Sequence, residues 1–475
     1  MNSQISTPRA GALRHALGNR QMSMIAIGGV IGAGLFVGSG SAIGMAGPAV
    51  LVAYAAIGLL VVLVMRMLAE MAVAAPGSGS FATYATREFG PWAGLSIGWL
   101  YAYQWMVTIG FEAIAGASIV HRLLPPIPTW LAALVMLASL IAVNFGRVES
   151  FGTFEFWFAM IKVAAIVAFL LVGLAAILGL FPGFAAPGLS NLTGQGGFAP
   201  EGWGPVAMAS LAVFFSYFGT EVVTIAAGEA KDPANAVRRG INSVVWRILL
   251  FYIGSIFVIV MLLPWSSTEV AASPYVAVLN ELHIPGAAVF MNLVVLTAVL
   301  SCLNSGIYSS SRMIHAMALR GETPKAFTRV NRHGVPTAAV ILGSAGGLAT
   351  IVANYFVPSD SVYQFLLNSS GSVAVVVYFG ITLTQLRFRT RVDRSDPGSL
   401  RVKMWGHPYL SVLVLVALLV VTAGMLVSAD TRLSLALTLL VTAIAVAAGI
   451  LTQVTRRRGA PAEEEPMEQL DGQAI

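Results

Sequence analysis

The feature that most constrains this chain is a succession of apolar runs, each about as long as the roughly 20 residues a helix needs to cross a hydrocarbon layer. They read at residues 22–44, 49–72, 92–120, 129–145, 154–180, 205–228, 243–264, 285–318, 337–356, 361–385, 409–428 and 432–453. The runs are too long and too evenly apolar for tilted barrel strands, so each must satisfy its backbone as a closed helix. Of the 475 residues only 10% are charged and 57% are hydrophobic, whereas soluble domains carry charge at about 25%. Such an inventory cannot cover a water-exposed surface. The expected fold is therefore an all-α integral membrane protein with twelve transmembrane helices and no separate soluble domain.

The basic residues orient it. With the amino terminus inside, 23 of the 27 Lys and Arg residues fall in inner connections and ends, only Arg122 and Arg432 fall outside, and Arg66 and Lys162 lie within spans. That asymmetry is the positive-inside pattern; it predicts an even number of spans with both ends cytoplasmic, in a bacterial inner membrane. The inner clusters, which include Arg247 and Arg312, are read as orienting residues that also meet anionic lipid, not as a nucleic-acid surface. Arg9, Arg14, His15 and Arg20 precede an apolar run from Met22 to Gly44; it is too long for a signal-peptide core and reads as the first span. The acidic stretch Glu463 to Glu465 reads as a solvated end, and the Gly- and Pro-rich segment 182–204 as an external linker.

Two runs carry breaks. Span one contains Gly28, Gly29, Gly32, Gly34, Gly38, Gly40 and Gly44, each costing a helix about 1 kcal/mol relative to Ala. Spacing alone is equally compatible with close packing of small residues. Span six tips the balance, because Phe214-Phe215-Ser216-Tyr217-Phe218-Gly219-Thr220-Glu221 again sets a glycine and polar groups inside an apolar run. Spans one and six lie five apart and cross in opposite directions, the pattern of an inverted repeat with a midplane site between two interrupted helices. Half-helix amino termini favour a carboxylate and free carbonyls favour an ammonium. A zwitterion suits both.

Ionisable residues inside spans are costly and suggest function. Glu112 lies deep in span three, and Lys162 lies in span five, where its stem could also reach the inner surface. Arg66 and Glu70, spaced i,i+4, are expected to neutralise each other as a structural or gating pair. Glu221, just past the break, is open to a structural or a gating role. Trp99, Tyr101, Tyr103 and Trp105 can line a cavity or merely pack.

Other chemistries lack their motifs. The four lysines follow Ile161, Ala230, Pro324 and Val402, so there is no P-loop, and Val37 spoils a GxGxxG begun at Gly32. No HExxH or paired-cysteine metal motif occurs, and the single cysteine, Cys302, excludes internal disulfides. No metal, no cofactor and no enzymatic activity is expected.

The segments Gly29-Val30-Ile31-Gly32-Ala33-Gly34-Leu35-Phe36, Met65-Arg66-Met67-Leu68-Ala69-Glu70-Met71, Phe154-Glu155-Phe156-Trp157, Val222-Val223-Thr224-Ile225-Ala226-Ala227 and Ser301-Cys302-Leu303-Asn304-Ser305 resemble those of bacterial amino-acid permeases of the amino acid–polyamine–organocation superfamily. They are most similar to the gamma-aminobutyrate permease type. The resemblance implies a leucine-transporter-like fold of five plus five helices in inverted repeat, at 22–180 and 205–385. Two further helices at 409–453 lie before a cytoplasmic tail at 454–475, and a cytoplasmic segment at 1–21 leads in. It implies secondary transport of a small amino acid, with gamma-aminobutyrate foremost, by proton symport and alternating access. Ile31, Gly32, Ala33 and Gly34 would face the carboxylate, and Ser216, Tyr217, Phe218, Gly219 and Thr220 would face the amine. Lys162 and Glu112 would couple the proton. Ala33 and Thr220 depart from the nearest type and leave the substrate open. Exchange, sodium coupling, permeation of an aromatic amino acid, proline, alanine or glycine, and a non-transporting sensor remain alternatives.

Overall fold

The computed structural model describes residues 31–75, 79–146, 148–227, 232–357, 359–396, 398–427 and 429–459. The expected lead segment 1–21, the start of span one with Gly28 and Gly29, the basic residues Arg147 and Lys231, and the acidic stretch at 463–465 lie outside the described residues.

Among the described residues the regular structure is entirely helical. The chain runs through α1 (Ala33–Phe36), α2 (Gly38–Ala46), α3 (Val50–Ala74), α4 (Ser80–Phe89), α5 (Pro91–Leu123), α6 (Thr129–Asn144) and α7 (Val148–Ile177). It continues with α8 (Ser190–Thr193), α9 (Trp203–Tyr217), α10 (Val222–Ala226), α11 (Pro233–Arg247), α12 (Ser255–Leu262), α13 (Thr268–Ala272) and α14 (Pro274–Glu281). It ends with α15 (Ala287–Leu319), α16 (Thr337–Phe356), α17 (Ser359–Ser395), α18 (Tyr409–Val427) and α19 (Ala429–Gly459).

Ten helical stretches among these residues are long and apolar enough to cross a bilayer. The count of twelve is not reproduced by length and apolarity, for two reasons. α6 has only 16 residues. Ala33–Ala74 is a single stretch of 42 residues, which if straight would run about 63 Å at 1.5 Å per residue, twice the hydrocarbon thickness. It is not straight: it breaks at Gly47, whose φ of +60° ends α2 and starts a single 3-10 turn, Gly47–Ala49.

The helices extend past the apolar runs wherever polar residues can still cap or cover them. α11 begins at Pro233, ten residues ahead of the expected span, because Asp232 accepts a hydrogen bond from the Asn235 N–H at 3.2 Å and Pro233 suits the first turn. A π-helical segment, Ile248–Gly254, joins it to α12. α17 likewise continues ten residues beyond the expected end, so Arg387, Arg389, Arg391 and Arg394 sit on a helix instead of in a connection. α4, α13 and α14 fall where connections were expected. α5 is the hub of the bundle, packing on α15, α16, α17, α19 and α4.

Candidate functional site

The first break lies at Ile31–Gly32. Gly32 is extended (φ −128°, ψ −154°) and α1 starts at the next residue, so a helix amino terminus opens inside the bundle with its first N–H unpaired by any earlier turn. Glu112, from the middle of α5, takes that donor: both carboxylate oxygens accept from the Ala33 N–H at 3.1 Å. The Ile31 carbonyl, freed on the other side, accepts from Lys162 Nζ at 3.1 Å. The Gly34 carbonyl accepts from Ser216 Oγ at 2.7 Å, which ties α1 to α9. Gly32 must be glycine here, because a Cβ would strike Glu112 Oε1 and stand 2.6 Å from Cys302 Cβ.

The second break follows α9. Phe218 is extended (ψ 146°) and Gly219 takes φ +96°, a conformation that glycine adopts without steric cost. Glu221 folds back so that both its oxygens accept from the Gly219 N–H at 3.1 Å; of its two roles, capping is the one its geometry performs. Ser80 on α4 then meets Thr224 on α10 at 2.7 Å. Phe218 sits in an aromatic wall, with Tyr101 and Trp105 each at 5.7 Å and Tyr378 stacked at 6.3 Å between ring centroids. Tyr217 turns away, donating to the Tyr54 carbonyl at 3.0 Å. Of the aromatic quartet in span three, Tyr101 and Trp105 therefore face the break.

Both breaks thus have the same construction: a carboxylate from within the bilayer bridges one freed N–H. Ile31, Ala33, Ser216, Tyr217, Phe218, Thr220, Glu112, Glu221 and Lys162 are all buried.

Lys162 does not snorkel. It is fully buried and donates to Ser301 Oγ at 2.8 Å, while Ser301 in turn donates to Glu155 Oε1. Glu155 lies 4.0 Å from Lys162 Nζ. Sequence reasoning had Glu155 only as part of a motif. Its signal was available in the spacing, since residues seven apart on a helix lie two turns along one face.

Arg66 and Glu70 do not pair. Arg66 Nε donates to the Lys403 carbonyl at 2.9 Å, and its guanidinium covers the Trp405 ring at 5.0 Å. Glu70 instead accepts from Arg389 Nη1 at 2.9 Å, from Gln385 Nε2 at 3.0 Å and from the Met404 N–H. Spacing of i,i+4 permits a pair but does not compel one, and α17 offered Glu70 a buried partner. His407 stands beside this cluster, its Nδ1 3.5 Å from Gln385 Nε2. Burial, and then the Arg389 charge, hold its imidazole below its ordinary value. Two residues assigned to inner connections are corrected as well. Arg247 is buried at the end of α11 among Tyr252, Glu221, Tyr378 and Tyr217. Arg312 is buried on α15 over the Tyr308 ring at 4.5 Å.

Among the described residues no group of three or more His, Cys, Asp or Glu side chains could hold a metal ion. A wide apolar groove of about 1100 Å³ lies away from the breaks, between α3, α9 and α18, and is lined by aliphatic side chains that suit lipid.

Comparison with known proteins agrees with this architecture. The chain matches the amino acid permease family over residues 21–464. It is 48% identical over 432 residues to the gamma-aminobutyric acid permease of Bacillus subtilis, covering 91% of this chain and 92% of that one. It is 46% identical to the gamma-aminobutyric acid permease of Escherichia coli, covering 84% and 87%. The aromatic amino acid transport protein of Corynebacterium glutamicum is 42% identical, covering 88% and 90%. Among solved structures, a manganese transporter from Eremococcus coleocola superposes with a TM-score of 0.56 at 14% identity, covering 96% of this chain and all of that one. That likeness concerns the fold alone, which is all-helical and of the leucine-transporter type. By the extent of its match and the identity of its relatives, the chain is a multi-pass membrane protein that belongs to the amino acid permease family.

Proposed function

We propose that this permease imports gamma-aminobutyrate by proton symport, through alternating access around the two breaks. The observation that carries the reading is that α1 and α9 meet at the Gly34–Ser216 bond with one freed N–H on each side held by a carboxylate. A substrate carboxylate is the natural competitor for the Ala33 N–H that Glu112 occupies. An ammonium suits the face of the wall formed by Tyr101, Trp105, Phe218 and Tyr378. Ile31, Gly32, Ala33 and Gly34 would then serve one pole of the solute, and Ser216, Phe218, Gly219 and Thr220 the other. Tyr217 stands apart from the wall, against Tyr54 and Tyr252. The permeases with 46–48% identity carry gamma-aminobutyrate in their names, which favours that solute over an aromatic one.

The chain would cross the bacterial inner membrane twelve times, with Ala33–Ala74 counted as two crossings and α6 as one, and with both ends cytoplasmic. Repeats at 22–180 and 205–385 would rock against each other, with 409–453 as two added helices. Lys162 would change charge in each cycle, and Glu112 would release the Ala33 N–H as substrate arrives. One charge moving through about 100 mV yields about 2.3 kcal/mol, nearly two decades of accumulation at about 1.4 kcal/mol each.

The test is uptake of labelled gamma-aminobutyrate by purified protein in liposomes, with and without a pH gradient. Uphill uptake that needs the gradient, ignores sodium and is lost in Lys162→Ala is expected. Counterflow without any response to pH would make the protein an exchanger, and stronger inhibition by phenylalanine or threonine than by gamma-aminobutyrate would overturn the substrate.

A further inference from the structure

The geometry points to Glu155 as the group that takes the proton from Lys162 and hands it towards the end of the bundle where α6 ends and α7 begins. This inference rests on the proton-symport reading above and adds the route.

Three observations carry it. Lys162 and Glu155 are both fully buried, and one hydroxyl, Ser301 Oγ, accepts from the first and donates to the second. Glu155 stands seven residues before Lys162, two turns back along one face of α7, and its carboxylate lies 4.0 Å from Lys162 Nζ, so transfer is one short step towards the end where α7 begins. Beyond it the polar groups continue: Asn304 and Ser305, one turn further along α15, face the Glu155 carboxylate. Asn304 Oδ1 accepts from Asn144 Nδ2 at 2.7 Å, and Asn331 Nδ2 bonds the neighbouring Phe145 carbonyl at 2.9 Å. Asn144 closes α6 and Asn331 lies in the connection after α15, the basic end that the charge distribution assigns to the cytoplasm. These groups form a polar file running from the first break to one end of the bundle.

The competing groups are placed differently. Glu112, Cys302 and Arg247 also face Lys162, but in this structure both oxygens of Glu112 accept from the Ala33 N–H, whereas Ser301 Oγ joins Lys162 to Glu155. Arg247 is a cation and cannot take a second proton. In the step itself, an Nζ–H bond of Lys162 breaks as a bond to Ser301 Oγ forms, and the proton that Ser301 held passes to Glu155 Oε1. The products are a neutral amine and a neutral acid, so the buried pair keeps its net charge. Release of the acid's proton past Asn304 and Asn144 then restores the carboxylate.

The whole protein in liposomes, with a pH-sensitive dye trapped inside, tests this. Native protein is expected to acidify the lumen as gamma-aminobutyrate enters. Glu155→Gln is expected to lose acidification and uphill accumulation by at least tenfold, while stabilisation by gamma-aminobutyrate in a thermal-shift assay stays within about threefold of native concentration dependence. Glu155→Asp should restore part of the proton flux. Should Glu155→Gln fail to assemble, Ser301→Ala carries the same test, since it removes the relay and keeps both charges; it should slow acidification at least tenfold. Native acidification that survives in Glu155→Gln or Ser301→Ala overturns the role of Glu155 alone. Uptake by native protein without any acidification overturns the symport reading and this route with it.

Discussion

At the scale of single residues, the site is governed by who occupies a freed backbone group. Gly32 shows it best: the residue lies against Glu112 and Cys302 on two other helices, with no room for a Cβ. Gly32→Ala should therefore drive Glu112 off the Ala33 N–H and reduce uptake at least tenfold, through overpacking worth about 1–3 kcal/mol. Gly44→Ala, where a Cβ meets nothing within 4 Å, should transport like the native protein in the same assay. Glu112 and Lys162 were legible in the sequence because a charge inside an apolar run is expensive and needs a reason. Arg247 was not, because it stands near the polar margin of its run and reads there as an ordinary end residue; Glu155 has the same kind of place, and only its seven-residue spacing from Lys162 sets it apart. The Arg66–Glu70 pair failed for the opposite reason. Helix spacing describes one helix, whereas a buried carboxylate goes to whichever donors the neighbouring helices bring.

At the scale of elements, the break between α9 and α10 was fully legible and that before α1 partly so, since glycine stands where the chain leaves α9 and where it enters α1. Gly219 is held at φ +96°, a region that costs a residue with a Cβ about 1–2 kcal/mol. Gly219→Ala should lower the detergent melting temperature by a few degrees and impair transport more than binding of the dye or lipid used to monitor folding. A native uptake rate in that variant would mean the break is not held open by this residue. Among the helices that escaped sequence reading, α4 is amphipathic. α4 buries Phe81, Ala82, Tyr84 and Ala85 but interleaves them with Thr83, Thr86 and Arg87. No window of it resembles a span, so a search for apolar runs passes over it.

At the scale of the whole molecule, the Glu70 cluster fastens the end of α3 to α17 and to the connection that precedes α18. His407 belongs to that cluster as a neutral ring. Its lowered proton affinity means the folded state resists a proton that the unfolded chain accepts below about pH 6.5. Stability should thus be full above that pH and fall as the pH drops, until the lowered folded value is reached; His407→Gln should flatten the melting temperature between pH 7 and pH 5. The stronger constraint is the ion pair. The Glu70 side chain is wholly buried against Arg389, which is 13% exposed, at 2.9 Å. Removing one partner of such a pair strands a charge, at a cost of about 3–5 kcal/mol, whereas removing both charges is close to neutral. Arg389→Ala should therefore unfold at markedly lower temperature than native protein, and Glu70→Gln combined with Arg389→Gln should recover most of the loss. Because alternating access requires helices to separate at one end and then the other, the same cluster also opposes opening wherever α3 and α17 must part. The double variant, stable but unfastened, should then take up solute faster under a saturating gradient and leak more in its absence. If its rates match the native protein, the cluster holds the fold together without restraining the cycle.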